Sequence, residues 1–416
     1  MNQDSESKLA LFGGAPVITD DLRPSLPIRW EEEEVAAVTE VLKQRSLFYW
    51  NGAATGRMIE AFKELYPLQY VMPVSSGSAA IHTAILSIGL QPGDEVITSP
   101  ITDQGTVIGV LYQQGVPVFA DVDARTYNLD PESVERAITP RTKAIIAVHL
   151  AGAPCDMLRL REIADRHGLV LIEDCAQAWG TLYDGKPVGT LGDIGCFSLN
   201  DFKHISCGDG GIVATNNPAF GVKFQRCADK AYDRVGGVRF PESLAPCYRI
   251  TELQAAVASV QLRKVQRIAA RRNELGSTLT RLLEEIPGIL PPIVRPNDYS
   301  SYWFYLFRID LETLRCTLGE FVEALNKEGV AAGAGYIPAP LYRYPVFQNH
   351  NFFGGQWPIK ALGLTRMDYR EVCCPNAELV LQTSVKVEVR EAMPDAHIQR
   401  VARGIRKVAS YYAKLR

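Results

Sequence analysis

Residues 143–177 read KAIIAVHLAGAPCDMLRLREIADRHGLVLIEDCAQ. An apolar run is followed by a segment of helical period that ends at Gly168, and a second apolar run then leads to Glu173 and Asp174. The same alternation of apolar runs and helical segments extends from about residue 70 to residue 215. It predicts an α/β fold in which a mostly parallel sheet is covered by helices on both faces.

The length of 416 residues suits one large and one smaller domain. Residues 248–286 contain no proline and predict one long helix that leaves the large domain. The proline-rich segment 287–296 follows, and after it come an aromatic strand pattern and two amphipathic helices. We therefore predict a large domain over 1–286 and a smaller α+β domain over 287–416.

Composition excludes several classes of protein. The formal net charge is -3 and charged residues make up 22%, so the sequence predicts neither a nucleic-acid partner nor an anionic membrane partner. No apolar run has the length of a transmembrane helix, and the polar N-terminus is interpreted as mature protein rather than a leader. The nine cysteines are scattered without a CxxC pair, which argues against disulfides and a zinc site and favours a reducing cytoplasm.

Ligands of open α/β sheets bind outside the carboxyl ends of the strands, and the first position of interest there is the segment VSSGSAA. Gly77 and Ser78 lie on a turn that opens a helix. Main-chain N–H groups at a helix start suit a phosphate, although a serine there is also a common helix cap. Both interpretations stay open from the residues alone.

The second position is Asp174, at the end of a buried apolar run. Its carboxylate could cap the next turn, or it could pair with a protonated ring nitrogen of a bound cofactor. Glu173 should point to the opposite face of the strand, because side chains alternate along a strand. Asp174 is therefore the better candidate for the cofactor.

The third position is Lys203, in the stretch CFSLNDFKHISCGDGG of residues 196–211. A lysine between a strand end and a glycine-rich turn is either an ordinary surface residue or a nucleophilic amine that can form a Schiff base with an aldehyde. Pyridoxal 5′-phosphate (PLP) requires such a lysine, an acid for its ring nitrogen and a phosphate cradle. The sequence supplies all three in order, and this joint occurrence is much more specific than any one of them.

The chain resembles the DegT/StrS-type aminotransferases, PLP enzymes of fold type I that aminate keto-sugars and keto-cyclitols. The resemblance covers nearly the whole chain. It rests on FGGAPV, VSSGSAAIHTAILSIGLQPGDEVITSP, PVFADVD, AVHLAGAPCDM, IEDCAQAWGTLYDGKPVGTLGDIGCFSL, KHISCGDGG and YRITELQAAVASVQL. It implies a large domain with a mostly parallel seven-stranded sheet, a homodimer with shared active sites, and an amino donor such as glutamate or glutamine.

The resemblance also implies roles for individual residues. Lys203 would form the internal aldimine with PLP and move the proton. Asp174 would pair with the pyridine nitrogen, and Gln177 would lie near the phenolic oxygen of the ring. Gly77, Ser78 and Ser198 would bind the phosphate. Apart from the resemblance, Tyr336, His204 and Arg249 are candidate substrate contacts. Tyr336 could instead pack against the large domain, His204 could be a local structural residue, and Arg249 could be a surface or interface residue.

Two positions depart from the family pattern. An aromatic residue usually stacks on the cofactor ring, whereas this chain has Asp103 or Gln104 at that place. Asp103 could hydrogen-bond the cofactor or the substrate, or remain a turn residue. The family also has an asparagine two residues before the arginine that here is Arg249, and this chain has Cys247. A thiol is a weak donor, so the contact of that asparagine with the partner's cofactor phosphate should be weakened or replaced.

Two rival functions remain at this level. A PLP-dependent lyase or dehydratase on the same fold would remove the same proton without returning an amino group to a ketone. A non-enzymatic scaffold would be expected to lose Lys203 or Asp174, and the chain keeps both.

Overall fold

A computed structural model describes residues 8–26 and 28–414. Its strands are β1 (Tyr70–Val74), β2 (Glu95–Thr98), β3 (Val116–Phe119), β4 (Thr142–Val148), β5 (Val170–Asp174), β6 (Leu182–Tyr183), β7 (Lys186–Pro187), β8 (Ile194–Ser198), β9 (Gly211–Thr215), β10 (Ile289–Leu290), β11 (Tyr305–Ile309), β12 (Ala332–Ala334) and β13 (Ser384–Val387).

The large sheet has seven strands in the order β1-β9-β8-β5-β4-β2-β3. Within this order, the neighbouring strands β8, β5, β4, β2 and β3 pair in parallel. Strand β9 is antiparallel to both of its neighbours, β1 and β8. This confirms the predicted α/β fold with a mostly parallel sheet. The ends of β1, β5 and β8 meet at one edge, because Gly211 pairs with both Val74 and Ser198 and Asp174 pairs with Cys196.

Helices cover the sheet and complete the smaller unit. They are α1 (Glu32–Leu42), α2 (Ala53–Leu65), α3 (Gly77–Ile88), α4 (Gly105–Tyr112), α5 (Pro131–Ala137), α6 (Met157–His167), α7 (Pro218–Gly221), α8 (Phe224–Ala228), α9 (Glu252–Arg263), α10 (Val265–Leu283), α11 (Leu311–Leu314), α12 (Leu318–Lys327), α13 (Pro345–Gln348), α14 (Pro358–Ala361), α15 (Pro375–Thr383) and α16 (Asp395–Ala413). No helix in the described part of the chain is both long and apolar enough to cross a bilayer.

The single long helix predicted over 248–286 is wrong in its continuity, because α9 and α10 are separated at Lys264. The amide of Lys264 donates to the carbonyl of Gln261, three residues back, and thereby tightens the turn. The ammonium of Lys264 lies 2.7 Å from carboxylate oxygens of both Glu31 and Glu34. Glu31 and Glu34, which are distant in sequence, thus hold Lys264 at the junction of α9 and α10.

The C-terminal sheet is antiparallel, in the order β10-β11-β13-β12. Its core includes side chains of α10, α12 and α16, together with Leu9 and Ile18 from the N-terminal segment. Glu328 holds this segment in place, since its carboxylate accepts from the amides of Ala10 and Val17. The domain boundary at residue 286 stays a prediction.

Candidate active site

Lys203 lies on the turn that joins β8 to β9, at the edge where the strand ends meet. Burial lowers the pKa of its amine to about 8, while the charges of Asp174 and Asp103 act in the opposite direction. An amine with this pKa is neutral in a substantial fraction of molecules near pH 8, and only the neutral form is a nucleophile. The turn therefore presents a lysine that is suited to covalent chemistry.

Asp174 ends β5 and is almost completely buried. Its Oδ2 accepts from the hydroxyl of Thr106 at 2.8 Å, and its Oδ1 accepts from the amide of Ala176 at 3.1 Å. Burial raises the pKa of Asp174, although these hydrogen bonds and the charge of Lys203 partly offset the effect. A buried carboxylate in this position is stabilised by any cation or protonated ring nitrogen that comes next to it.

The start of α3 forms a narrow cradle beside the end of β8. The hydroxyl of Ser76 caps the helix by accepting from Ala79, so the amides of Gly77 and Ser78 lie in the first turn, where an α-helix offers its N–H groups no internal acceptor. A Cβ on Gly77 would lie 2.7 Å from the Cβ and 3.0 Å from the Oγ of Ser198. Only glycine fits here, and the arrangement suits an anion held by main-chain amides.

We expect Gly77→Ala to weaken phosphate binding at this cradle by about tenfold to a hundredfold, because the methyl group forces Ser198 and the helix start apart. Titration of the apoenzyme with PLP measures the change. Gly56→Ala is the matched control, since no atom lies within 4 Å of the added Cβ on α2. Equal affinities of the two variants would contradict the assignment.

Gln177 links the large domain to the smaller one. Its Oε1 accepts from the amide of Ala151 at 2.9 Å, and its Nε2 donates to the hydroxyl of Tyr336 at 3.1 Å. Tyr336, Lys203 and Asp103 all line one cavity of about 1090 Å³. The structure thus brings eight of the predicted residues to the same edge of the sheet or to its cavity, namely Gly77, Ser78, Asp103, Asp174, Gln177, Ser198, Lys203 and Tyr336.

Asp103 and Gln104 occupy the loop before α4, where the aromatic residue of the family pattern was expected. Both are exposed, and Asp103 Oδ1 accepts from the amide of Gly105 at 2.8 Å. Asp103 is therefore a turn residue that also faces the lysine cavity. Its role toward cofactor or substrate stays a prediction.

Replacing Asp103 by asparagine is expected to move the pKa of Lys203 below about 8, because the lost negative charge no longer stabilises the ammonium form. Half-maximal labelling of Lys203 in the apoenzyme by an amine-selective acylating reagent should then occur at lower pH. Peptide mass spectrometry across a pH series measures this midpoint. A midpoint that stays or rises would show that Asp103 does not act on the lysine.

His204 and Arg249 do not line the lysine cavity, although Arg249 pairs with Val74 at the end of β1. His204 is buried and its Nε2 lies 3.1 Å from the carbonyl oxygen of Ser301, and burial lowers its pKa well below the usual value. Arg249 lies 3.5 Å from the buried carboxylate of Asp229, and its Nε donates to the Sγ of Cys247 at 3.1 Å. Neither side chain lines the cavity, so the predicted contacts of His204 and Arg249 with the substrate stay predictions.

Sequence reasoning missed Thr106, which bonds Asp174, and Trp303, which lies beside Lys203. Thr106 belongs to an apolar helix pattern, and only the fold brings its hydroxyl to Asp174. Trp303 lies in an aromatic run that predicts a strand, yet its indole ring lies 3.8 Å from Lys203 Nζ. The unusual density of aromatic residues in SSYWFYLF was the one available signal.

His149, Glu173 and Cys175 form a buried cluster below the site, and their potential ligand atoms lie within 4.8 Å of one another. The Glu173 carboxylate already accepts from the amides of Gly189, Leu191 and Gly192. Glu173 thus contacts the 189–192 loop, whereas Asp174 contacts α4, as alternation along β5 predicts. The cluster is explained by these internal contacts.

The donors and acceptors at this edge fit PLP. A glycine cradle suits the phosphate, a buried carboxylate suits the pyridine nitrogen, and a half-buried amine of lowered pKa suits the carbonyl carbon. Two observations support this fit. A Cβ on Gly77 would fill the phosphate cradle, and the main-chain amides, the carboxylate and the amine have the chemistry that PLP requires.

Comparison with known proteins agrees with this chemistry. A model of the DegT/DnrJ/EryC1/StrS aminotransferase family matches residues 29–406. The uncharacterized protein MJ1066 of Methanocaldococcus jannaschii is 30% identical over 390 residues, which are 91% of this chain and 95% of that protein. DesI, solved in the presence of its TDP-sugar product, has 26% identity and a TM-score of 0.82, with 98% of each chain covered.

NtdA of Bacillus subtilis, solved with bound PMP, has 25% identity and a TM-score of 0.79, and the match covers 95% of this chain and 83% of that one. The matched region contains every element of the site described above. The chain therefore belongs to the DegT/DnrJ/EryC1/StrS aminotransferase family and is a PLP-dependent aminotransferase.

Proposed function

We propose that the enzyme transfers an amino group from glutamate or glutamine to the ketone of a sugar or cyclitol. The observation that carries this proposal is a lysine of lowered pKa that lies next to a buried carboxylate and lines a large cavity with many charged side chains. PLP, when bound, supplies an electron-accepting ring and a carbon that carries the amino group between donor and acceptor.

Different residues of the chain would hold the cofactor, control its protonation and move the proton. The amides of Gly77 and Ser78, with the hydroxyl of Ser198, would hold the phosphate. The Asp174 carboxylate would keep a proton on the ring nitrogen, and Thr106 would orient that carboxylate. Lys203 would attach the cofactor and then move a proton on the cavity side, where its lowered pKa makes both protonation states accessible near pH 8.

The walls of the cavity favour an acceptor that is linked to a nucleotide diphosphate. Besides Lys203, its lining includes seven cationic side chains, Arg29, Lys264, Arg267, Arg271, Arg272, Lys386 and Arg390. Five carboxylates line it, Glu31, Asp103, Asp201, Glu388 and Glu391. The lining is thus cationic in a chain whose formal net charge is -3, and DesI has a TDP-sugar product. A free sugar or cyclitol is the second acceptor class.

The test has two stages. Glutamate or glutamine is first added to the purified holoenzyme, and the absorbance of the cofactor should change to that of PMP. Nucleotide-linked keto-sugars, free keto-sugars and keto-cyclitols are then added, and the aminated product is read by mass. A donor reaction without an aminated product, accompanied by loss of water from the sugar, would favour the lyase or dehydratase instead.

We infer a homodimer from the apolar side chains that the protomer leaves exposed. In the loop before Cys247, Val235, Phe240 and Leu244 are 83%, 89% and 95% exposed. Apolar groups exposed to this extent in one loop are typical of an interface, and a second copy is the expected occupant. Sedimentation should give twice the mass of the chain, and a fully active monomer would contradict the proposal.

We place the enzyme in the cytoplasm. All nine cysteines are free thiols, and Cys247 and Cys373 are exposed. Exposed free thiols favour a reducing compartment. Secretion of the enzyme into an oxidising compartment should therefore give a lower yield of active enzyme than expression in the cytoplasm.

A further inference from the structure

Three consecutive carbonyl groups on the lysine turn each accept a hydrogen bond from a side chain that lies far away in sequence. Arg29 donates through one amino group to Asp201 at 2.7 Å and through the other to Lys203 at 2.8 Å. The indole N–H of Trp303 donates to Phe202 at 2.6 Å. The turn is thus held from outside by the N-terminal segment and by the segment before β11.

Trp303 is itself fixed on both sides. Its amide donates to the carbonyl of Ala151 at 2.9 Å, and its carbonyl accepts from Arg272 at 3.1 Å. Arg272 is almost fully buried and forms a 2.7 Å ion pair with Glu391. The main chain of Trp303 is therefore held on both sides, its indole N–H is bonded to Phe202, and the ammonium of Lys203 lies 3.8 Å from the ring centroid.

We propose that Arg29 and Trp303 are positioning residues, which hold the turn 201–203 and aim the Lys203 amine at the place where the cofactor and substrate react. This inference rests on the proposed role of Lys203. A lysine side chain has four rotatable bonds, so a fixed main chain and a fixed ring face are what restrict its amine. Proton transfer and covalent attachment depend steeply on such placement.

The two contacts can be separated by substitution. Trp303→Phe keeps an aromatic face for the ammonium and removes the N–H that Phe202 uses, whereas Trp303→Leu removes both. Arg29→Lys keeps the charge but lacks the planar group that reaches two carbonyls at once. Arg23→Ala is the matched control, because Arg23 lies in the same N-terminal segment, is exposed and pairs with Asp20.

The first experiment measures amide hydrogen exchange of the apoenzyme in the peptide 199–207. The amides of Lys203 and Cys207 donate within the turn, at 2.9 Å to Asn200 and 3.1 Å to Leu199. Arg29→Ala and Trp303→Leu should speed their exchange by about tenfold, because the turn opens more often without the outer contacts. Arg23→Ala should leave it unchanged.

The second experiment follows the reaction of the holoenzyme with glutamate in a single turnover. Arg29→Ala should lower the maximal rate by about tenfold and change the donor concentration at half-maximal rate less than twofold, because both amino groups of Arg29 are already bonded to carbonyl groups of the turn. Arg29→Lys should recover part of the maximal rate. The maximal rate of Trp303→Phe should lie between those of the wild type and Trp303→Leu.

The proposal is overturned if Arg29→Ala and Arg23→Ala behave alike in both experiments. If Arg29→Ala does not fold, as judged by its melting transition, Arg29→Lys and Trp303→Phe decide by the same readouts. A wild-type enzyme that does not react with glutamate defeats the proposed function, and the exchange rates then still decide whether Arg29 and Trp303 hold the turn.

Discussion

Lys203→Ala is expected to lower the rate of amino transfer by roughly 10⁴-fold or more, because the variant loses both the nucleophilic amine and the proton carrier. The absorbance band of the lysine-bound cofactor should disappear, and borohydride should no longer fix the cofactor to the chain. Stopped-flow absorbance and mass spectrometry of the reduced protein measure the two effects.

Lys143→Ala is the control, since Lys143 is an exposed lysine on β4. It should retain the band, the borohydride adduct and the rate of the wild type. A lysine-bound band that persists in Lys203→Ala would show that another lysine carries the cofactor, and the assignment of the site would fall.

Asp174→Asn is expected to lower the rate by about 10³-fold while the cofactor remains attached to Lys203. The amide has the shape of the carboxylate, but it has no charge with which to keep a proton on the ring nitrogen. The same change should lower the pKa of Lys203 below about 8, because Asp174 is the first of the two charges that raise it. Single-turnover kinetics and the pH dependence of lysine labelling test the two parts separately.

Asp165→Asn provides the matched control on the exposed side of α6, where the aspartate side chain is 67% exposed. Its kinetics should equal those of the wild type. If Asp174→Asn keeps more than half of the wild-type rate, the carboxylate has no role at the ring nitrogen and serves only to cap the turn at Ala176.

The parallel sheet could be predicted because its signal is local. The apolar runs of β4 and β5 are buried on both faces and flank a helix of clear period, so neighbouring residues carry the information. The break between α9 and α10 could not be predicted in the same way. Lys264, at that break, forms ion pairs with Glu31 and Glu34, which lie more than 200 residues away and which no local pattern indicates.

The same distinction applies to the site. Asp174 lies at the end of a predicted strand, and Gly77 and Lys203 follow strand ends, where open α/β sheets bind ligands. Tertiary packing alone brings three further residues to the site, Thr106, Trp303 and Arg29. The sequence around Thr106 indicates a helix, that around Trp303 a strand, and that around Arg29 a polar segment. His204 shows the converse, because it is next to Lys203 in sequence yet faces the main chain at Ser301.

The anchoring of the N-terminal segment at Glu328 has a consequence for biosynthesis. Ala10 and Val17 bond a residue that follows them by 318 and 311 positions. At 5–20 residues per second, a ribosome needs roughly 15 to 60 seconds to reach that partner. Residues 10–17 are therefore made well before the partner that holds them, and for that interval Leu9 and Ile18 are available to chaperones instead of their native core.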